Sequence, residues 1–164
     1  IRDVPDFPEP GIIFKDITPL LNDAKAFDYA IALSVEKYRD LAFDAIALIE
    51  SRGFLFGAPL ARDLGKSIVL VRKPGKLPAE TYATDYDLEY GTNTLEMHVD
   101  GVVKGQKILI MDDLLATGGT LAATARLVEM AGGAVFGMGV VIELSFLDGR
   151  KNLSEYDIHS LIQY

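Results

Sequence analysis

The segment Lys107-Ile108-Leu109-Ile110-Met111-Asp112-Asp113-Leu114-Leu115-Ala116-Thr117-Gly118-Gly119-Thr120 constrains this chain more than any other part of it. An apolar run of strand length ends on two adjacent carboxylates. Paired glycines then open a helical stretch that Gly132-Gly133 closes. A continuous apolar run fits a strand covered on both faces, since a strand with one wet face would alternate. A strand of that kind leading into a helix returns to its sheet by a crossover, which makes the strands parallel and puts helices on the faces. The rhythm recurs. Ala45–Ile49, Ser67–Val71 and Ala134–Ile142 read as further buried strands, and helices are expected over Asp23–Asp40, Phe54–Leu64 and Thr120–Met130. In the first helix Phe27, Ala30, Ile31, Leu33 (or Ser34), Val35 and Tyr38 supply the apolar face. In the second, Pro59 is an uncomfortable member because it has no N–H to donate, and Gly65 suits a stop. The expected fold class is α/β, a twisted and mostly parallel sheet with helices on both faces.

Two segments break the rhythm. Asp3–Thr18 carries three prolines and no period, so residues 1–20 read as an irregular arm. Pro78–Val99 alternates polar and apolar residues and holds Thr81, Tyr82, Thr84, Tyr86 and Tyr90, which reads as an exposed two-stranded excursion inserted between core strands. An insertion of that length is usually functional or mobile. The 164 residues read as one domain, 1–164, large enough to bury a core. No cysteine is present, which excludes a disulfide framework, a thiol nucleophile and a cysteine-ligated metal, and suits a reducing cytoplasm. A net charge of -8 makes nucleic acid a poor partner. No apolar run reaches the roughly 18 residues of a membrane helix. The opening Ile1-Arg2-Asp3 shows neither the basic start nor the apolar region of an export signal, although a missing initiator Met is compatible with residues ahead of it. A cytoplasmic location is therefore expected.

Ligands of open α/β sheets bind at the carboxyl ends of strands, where Asp112 and Asp113 are expected. Backbone N–H groups at a helix start bind phosphate, and Thr117 and Thr120 add hydroxyl donors. Carboxylates beside a phosphate cradle make sense if they accept hydrogen bonds from sugar hydroxyls while the loop holds the phosphate on that sugar. The rival nucleotide motifs are absent, since no lysine stands where a Walker loop needs it and no G-x-G-x-x-G follows the first strand. Glu50-Ser51-Arg52-Gly53-Phe54 follows the strand Ala45–Ile49, and an arginine in such a turn can grip a phosphate through its planar fork. Arg72-Lys73-Pro74-Gly75-Lys76 gathers three cations in five residues of an acidic chain.

These motifs together resemble the type I phosphoribosyltransferases, and the combination of Glu-Ser-Arg-Gly-Phe, Leu88-Glu89-Tyr90-Gly91 and the arm Asp6–Pro19 resembles the adenine phosphoribosyltransferases in particular. The likeness runs from about Arg2 to the closing Ser160-Leu161-Ile162-Gln163-Tyr164. It implies a purine salvage transferase that joins adenine to 5-phosphoribosyl 1-diphosphate and releases AMP and pyrophosphate. It implies ribose contacts from Asp112 and Asp113, and 5′-phosphate contacts from Ala116, Thr117, Gly118, Gly119 and Thr120. Pyrophosphate contacts would come from Ser51, Arg52, Arg72, Lys73 and Lys76, partly across a homodimer interface, with a non-proline cis peptide in the Glu-Ser-Arg-Gly loop. Ile13, Phe14 and Lys15 would frame adenine, largely through the backbone, with Leu144 against its other side. Glu89 would manage a proton at a purine nitrogen, with Tyr90 helping the loop to close. Arg52 and Glu89 are thus the catalytic candidates. Mg²⁺ would arrive with the diphosphate, without direct protein ligands.

Some residues have plainer readings. Asp85, Asp87 and Glu96 can each simply keep an exposed strand soluble. His98 and His159 lack a partner pattern, so neither catalysis nor metal ligation is expected of them. A helix that the resemblance implies ahead of Arg2 is missing from the sequence. Two other activities compete: transfer to a 6-oxopurine or pyrimidine, which needs side-chain donors for an exocyclic oxygen, and a regulatory module that senses the diphosphate.

Overall fold

The computed structural model describes residues 1–87 and 92–164. Seven strands form the main sheet: β3 (Ala45–Ile49), β4 (Ser67–Arg72), β5 (Thr81–Asp87), β6 (Thr92–His98), β7 (Lys107–Leu115), β8 (Ala134–Glu143) and β9 (Ile158–Gln163), in the order β5-β6-β4-β3-β7-β8-β9. β4, β3, β7, β8 and β9 run parallel, whereas β6 pairs antiparallel with both β4 and β5. The helices are α1 (Thr18–Asn22), α2 (Ala24–Tyr38), α3 (Arg52–Leu64) and α4 (Gly119–Met130). α2 and α3 cover one face through Ile31, Tyr38, Phe56 and Leu60, which pack with Ile46, Leu48, Leu109 and Met111. α4 covers the other through Leu121, Ala125 and Val128, against Ala47, Ile49, Ile108 and Ile110. Alternate residues of β3 and β7 thus enter opposite cores, which is why both strands read as continuous apolar runs.

The structure changes several expectations. The arm is not irregular throughout: β1 (Arg2–Pro5) and β2 (Ile13–Asp16) pair antiparallel in a separate two-stranded sheet. Its start is tied down by Asp16, which accepts from Arg2, from the Thr18 backbone at 2.9 Å and from the Thr18 hydroxyl at 2.8 Å. These bonds, the Thr18 backbone first, lower the Asp16 carboxyl to about 2. β4 is not buried on both faces, because Ile68 and Leu70 are 43% and 42% exposed. The excursion is less exposed than expected. β6 joins the main sheet at Val71↔Met97 and Arg72↔Glu96, and Tyr86, Leu95 and Met97 are buried in the core. α2 begins after Asp23, whose carboxylate caps it through the N–H groups of Lys25 and Ala26. On its face Ser34 is buried while Leu33 is not. α3 starts two residues earlier than expected and carries Pro59 inside it, with Gly65 at φ +62 ending it. β9 and the two 3-10 segments Ser145–Leu147 and Gly149–Leu153 had no sequence expectation. Among the described residues, no helix is long and apolar enough to cross a membrane.

The carboxyl end of β8 carries a part-buried ionic cluster. Glu143 accepts from Arg150 Nε at 2.6 Å and Nη2 at 2.7 Å, from the Ser160 hydroxyl at 2.7 Å and from Gln163 at 3.1 Å. Arg150 above all holds the Glu143 carboxyl down at about 2, against an ordinary 4.5. A carboxyl depressed in the folded state adds stability above its unfolded value, and that contribution disappears as pH falls toward the folded one. Melting temperatures followed from pH 6 to pH 2 should therefore drop faster below about 4.5 in the wild type than in Glu143→Gln, which starts lower and falls along a flatter curve. Parallel curves would remove Glu143 from the acid limb.

Candidate active site

The chain leaves β3 for β4 in one direction and later leaves β7 for β8 in the other. The sheet order therefore reverses between β3 and β7, and an open α/β sheet forms its ligand crevice at such a point. The ladder to β3 ends at Leu48↔Met111, whereas the ladder to β8 continues through Asp112↔Val140 and Leu114↔Ile142. Asp112 and Asp113 are thus strand residues of a β7 longer than expected, and they stand where its neighbour on one side has stopped.

A cavity of about 230 Å³ opens there, bordered by Glu50, Ser51, Arg52, Lys73, Asp112, Asp113 and the segment 114–120 from the end of β7 to the start of α4. Two helices start at its edge. α3 has Ser51 as its N-cap and α4 has Gly118, and neither N-cap residue uses a side chain to bond the helix. The first N–H groups of an α-helix have no intrahelical partner. Two positive helix ends therefore meet one cavity, with the two carboxylates between them. The Glu50–Ser51 peptide is cis, as the resemblance implied.

Arg52 Nε lies 2.8 Å from Asp113 Oδ2, and Asp112 Oδ1 accepts from the Asp113 backbone at 2.8 Å. Burial, and then the neighbouring Asp113 charge, push Asp112 well above the ordinary carboxylate range. Burial raises Asp113 as well, and Arg52 pulls it part of the way back. The pair is electrostatically uncomfortable when ionised. Hydroxyl donors from a sugar would relieve it, because hydrogen bonds to the charged form favour that form. Gly53 makes the approach possible, since a Cβ there would stand 2.9 Å from Asp112 Oδ1 and 3.0 Å from the Met111 carbonyl.

The 116–120 loop rests on backbone that lay outside the sequence expectations. A Cβ on Gly118, which has φ +86, would lie 2.5 Å from the Gly149 carbonyl, and a Cβ on Gly149 would lie 2.2 Å from the Ala116 carbonyl. Asn152 adds a bond to the Thr117 carbonyl at 3.1 Å. Only a contact between distant segments marks Gly149 and Asn152, so local pattern could not have found them.

Of the three cations in the Arg72–Lys76 turn, Lys73 borders the cavity and the other two do not. Arg72 Nε donates to Glu50 at 3.0 Å, and its Nη1 donates to the Lys76 carbonyl at 3.1 Å. Of the four residues expected around adenine, the three on β2 divide between its two sides, as strand alternation requires. Ile13 and Lys15 line an apolar cavity of about 330 Å³ with Leu144, Phe146 and Tyr164. Phe14 faces Arg52, whose Cζ is 5.7 Å from its ring centroid. Lys15 pairs with Asp3 at 2.7 Å and sits 3.9 Å over the Tyr164 ring, joining the arm to the end of the chain. Among the described residues β2 pairs only with β1, and its other edge has no strand partner there. His159 packs edge-on against Tyr38, and His98 accepts from the Ala79 backbone at 3.4 Å. Glu89 and Tyr90 lie outside the described residues.

The family model of the phosphoribosyl transferase domain matches residues 17–161. An adenine phosphoribosyltransferase of Thermoanaerobacter pseudethanolicus is 59% identical over 164 residues, covering 100% of this chain and 95% of that one. The crystal structure from the same organism superposes with a TM-score of 0.97. The Saccharomyces cerevisiae enzyme, crystallised with an imino-altritol bisphosphate and adenine, is 38% identical with a TM-score of 0.90, covering 98% of this chain and 93% of that one. A sheet reversed at β3 and β7, a carboxylate pair at the reversal and this likeness over the full length agree, and the chain belongs to the phosphoribosyltransferases, among the adenine phosphoribosyltransferases.

Proposed function

We propose that the cavity between β3 and β7 is where this enzyme converts adenine and 5-phosphoribosyl 1-diphosphate to AMP and pyrophosphate. One observation carries the placement. Two uncapped helix starts flank a buried carboxylate pair, and the substrate has a phosphate at one end, hydroxyls in the middle and a diphosphate at the other. The loop Ala116–Thr120 takes the 5′-phosphate at the start of α4. Asp112 and Asp113 accept the ribose hydroxyls and orient the sugar. Ser51, Arg52 and Lys73 take the diphosphate at the start of α3, supported by Arg72 and Lys76. Adenine lies along the free edge of β2, where the N–H and C=O groups of Ile13–Lys15 suit its ring acceptor and 6-amino donor, with Leu144 beyond it.

Displacement at the anomeric carbon inverts its configuration and passes through an oxocarbenium-like state. The C–O bond to the diphosphate breaks as the bond to the adenine nitrogen forms. Arg52 and Lys73 stabilise the charge that develops on the leaving group. Glu89 takes the proton that adenine loses, and Tyr90 shields the site. The phosphate oxygens of the diphosphate suit Mg²⁺, and the ion would be held mainly by the diphosphate and water, without direct protein ligands. When bound, it neutralises charge on the leaving group.

The exposed Ile68 and Leu70 of β4, with Leu55 of α3 at 43% exposure, support a homodimer joined beside the diphosphate end. The cysteine-free sequence supports a cytoplasmic setting.

The test offers adenine, guanine, hypoxanthine, xanthine, uracil and orotate separately with the diphosphate and Mg²⁺, and reads pyrophosphate release. Release with adenine, giving AMP, is expected. Release only with another base would move the base site, and diphosphate binding without release on any base would leave a sensing role.

A further inference from the structure

A carboxylate beside a diphosphate site needs a reason, because its charge opposes the ligand. Glu50 follows β3 directly, and its side chain is only 14% exposed. Its Oε2 accepts from Arg72 Nε at 3.0 Å and from the Lys73 backbone N–H at 3.1 Å. Arg72 in turn reaches the Lys76 carbonyl at 3.1 Å, so one guanidinium joins the two ends of the turn. From the opposite side, the Gly75 N–H donates to Glu96 on β6 at 3.1 Å, and Gly75 takes φ +74. The exposed turn is thereby held at its start, its end and its tip, and Lys73 is left bordering the cavity with Ser51 and Arg52.

We infer that Glu50 is a positioning residue for the Arg72–Lys76 turn, holding it where Lys73 meets the diphosphate end of the cavity. The inference rests on the diphosphate placement proposed above. Lysine is a point charge on a flexible stem, so its usefulness depends on where the backbone starts it. Glu50 bonds the N–H of that very residue. The pairing with Arg72 also cancels the charge that would repel the ligand.

Placement and plain repulsion predict opposite signs. If Glu50 only opposes the anion, its removal tightens pyrophosphate binding. If it positions the turn, removal weakens it. The experiment is calorimetry on the full chain with two probes, pyrophosphate plus Mg²⁺ and ribose 5-phosphate. Glu50→Ala should weaken pyrophosphate by at least about tenfold, as expected when hydrogen bonds to a charged group are lost. Ribose 5-phosphate should stay within about twofold, and KM should rise for the diphosphate but not for adenine. Glu50→Gln keeps an oxygen that accepts from the same donors, so it should recover most of the loss. Unchanged or tighter pyrophosphate binding by Glu50→Ala would overturn the inference, as would a Glu50→Gln defect equal to that of Glu50→Ala. If Glu50→Ala does not fold, Arg72→Lys tests the same brace, because one ammonium cannot reach both Glu50 and the Lys76 carbonyl. Wild-type affinity in Arg72→Lys would also overturn it. A wild-type chain that binds ribose 5-phosphate but not pyrophosphate would instead defeat the diphosphate placement itself.

Discussion

Arg52→Ala should lower kcat by about 10²–10³-fold, the usual effect of removing one charge-stabilising donor from a preorganised site. Three features give this residue its weight. It is the first residue of α3, so its side chain leaves the backbone where the unpaired N–H groups already favour an anion. Its Nε bonds Asp113 at 2.8 Å while the side chain remains 41% exposed, which leaves the rest of the fork for a ligand. Its bond also counters the burial that raises Asp113. Removing it therefore does two things. The leaving group loses a cation, and Asp113 rises further above its ordinary range, so the carboxylate that should receive a ribose hydroxyl stays protonated to higher pH. The acid limb of the kcat/KM profile should move upward in pH in the variant, while circular dichroism shows an intact fold. Arg52→Lys should fall between the two, since it restores the charge without the fork. Near-normal turnover in Arg52→Ala would take Arg52 out of the diphosphate site. A lower rate with an unmoved acid limb would separate it from Asp113.

The second large effect is expected at a residue with no chemistry of its own. In Gly149→Ala the new methyl group would lie 2.2 Å from the Ala116 carbonyl and 2.8 Å from Leu115 Cδ1. The first obstacle is backbone, so the clash is relieved only by moving the 116–118 loop or the 3-10 turn. Overpacking of this kind costs about 1–3 kcal/mol, which for a chain of this size lowers Tm by roughly 2–12 °C. The functional loss should be larger in proportion, because the loop that shifts is the one proposed to hold the 5′-phosphate. Calorimetry with ribose 5-phosphate should show affinity down at least about tenfold, in line with the sensitivity of oriented sites to small displacements. Gly105→Ala is the control. Gly105 has φ +84 with nothing within 4 Å of an added Cβ, so it loses stability through backbone strain without touching the loop. Equal ribose 5-phosphate affinity in the two variants would show that the contact with Gly149 does not shape the cradle.

Much of the architecture was legible along the chain because its signals are local. β3, β7 and β8 announce themselves as apolar runs, and α4 through paired glycines and its helical period. The Asp-Asp pair and the Ser-Arg-Gly turn each sit at the end of a core strand, so their chemistry travels with the strand. β1, β2 and β9 were not legible. They are short, and each becomes a strand only by pairing, with little pattern of its own to mark it. β4 misled for a different reason: Ile68 and Leu70 are apolar like core residues and share the face of Ile46 and Leu48, but the helices packed on that face leave them 43% and 42% exposed.

Composition, period and motif thus determined by themselves that this chain builds a mostly parallel sheet with two carboxylates at one strand end and a glycine-rich helix start behind them, since each depends on residues adjacent in sequence. The tertiary structure alone decided which groups remain free to act. It brings Glu50 to Arg72 across 22 positions, sets Gly149 against Ala116, and divides Phe14 from Ile13 and Lys15 on opposite sides of one strand. Those outcomes depend on distance and direction in space, and a carboxylate or a guanidinium has the same symbol in the sequence whether its partner is a ligand or another side chain.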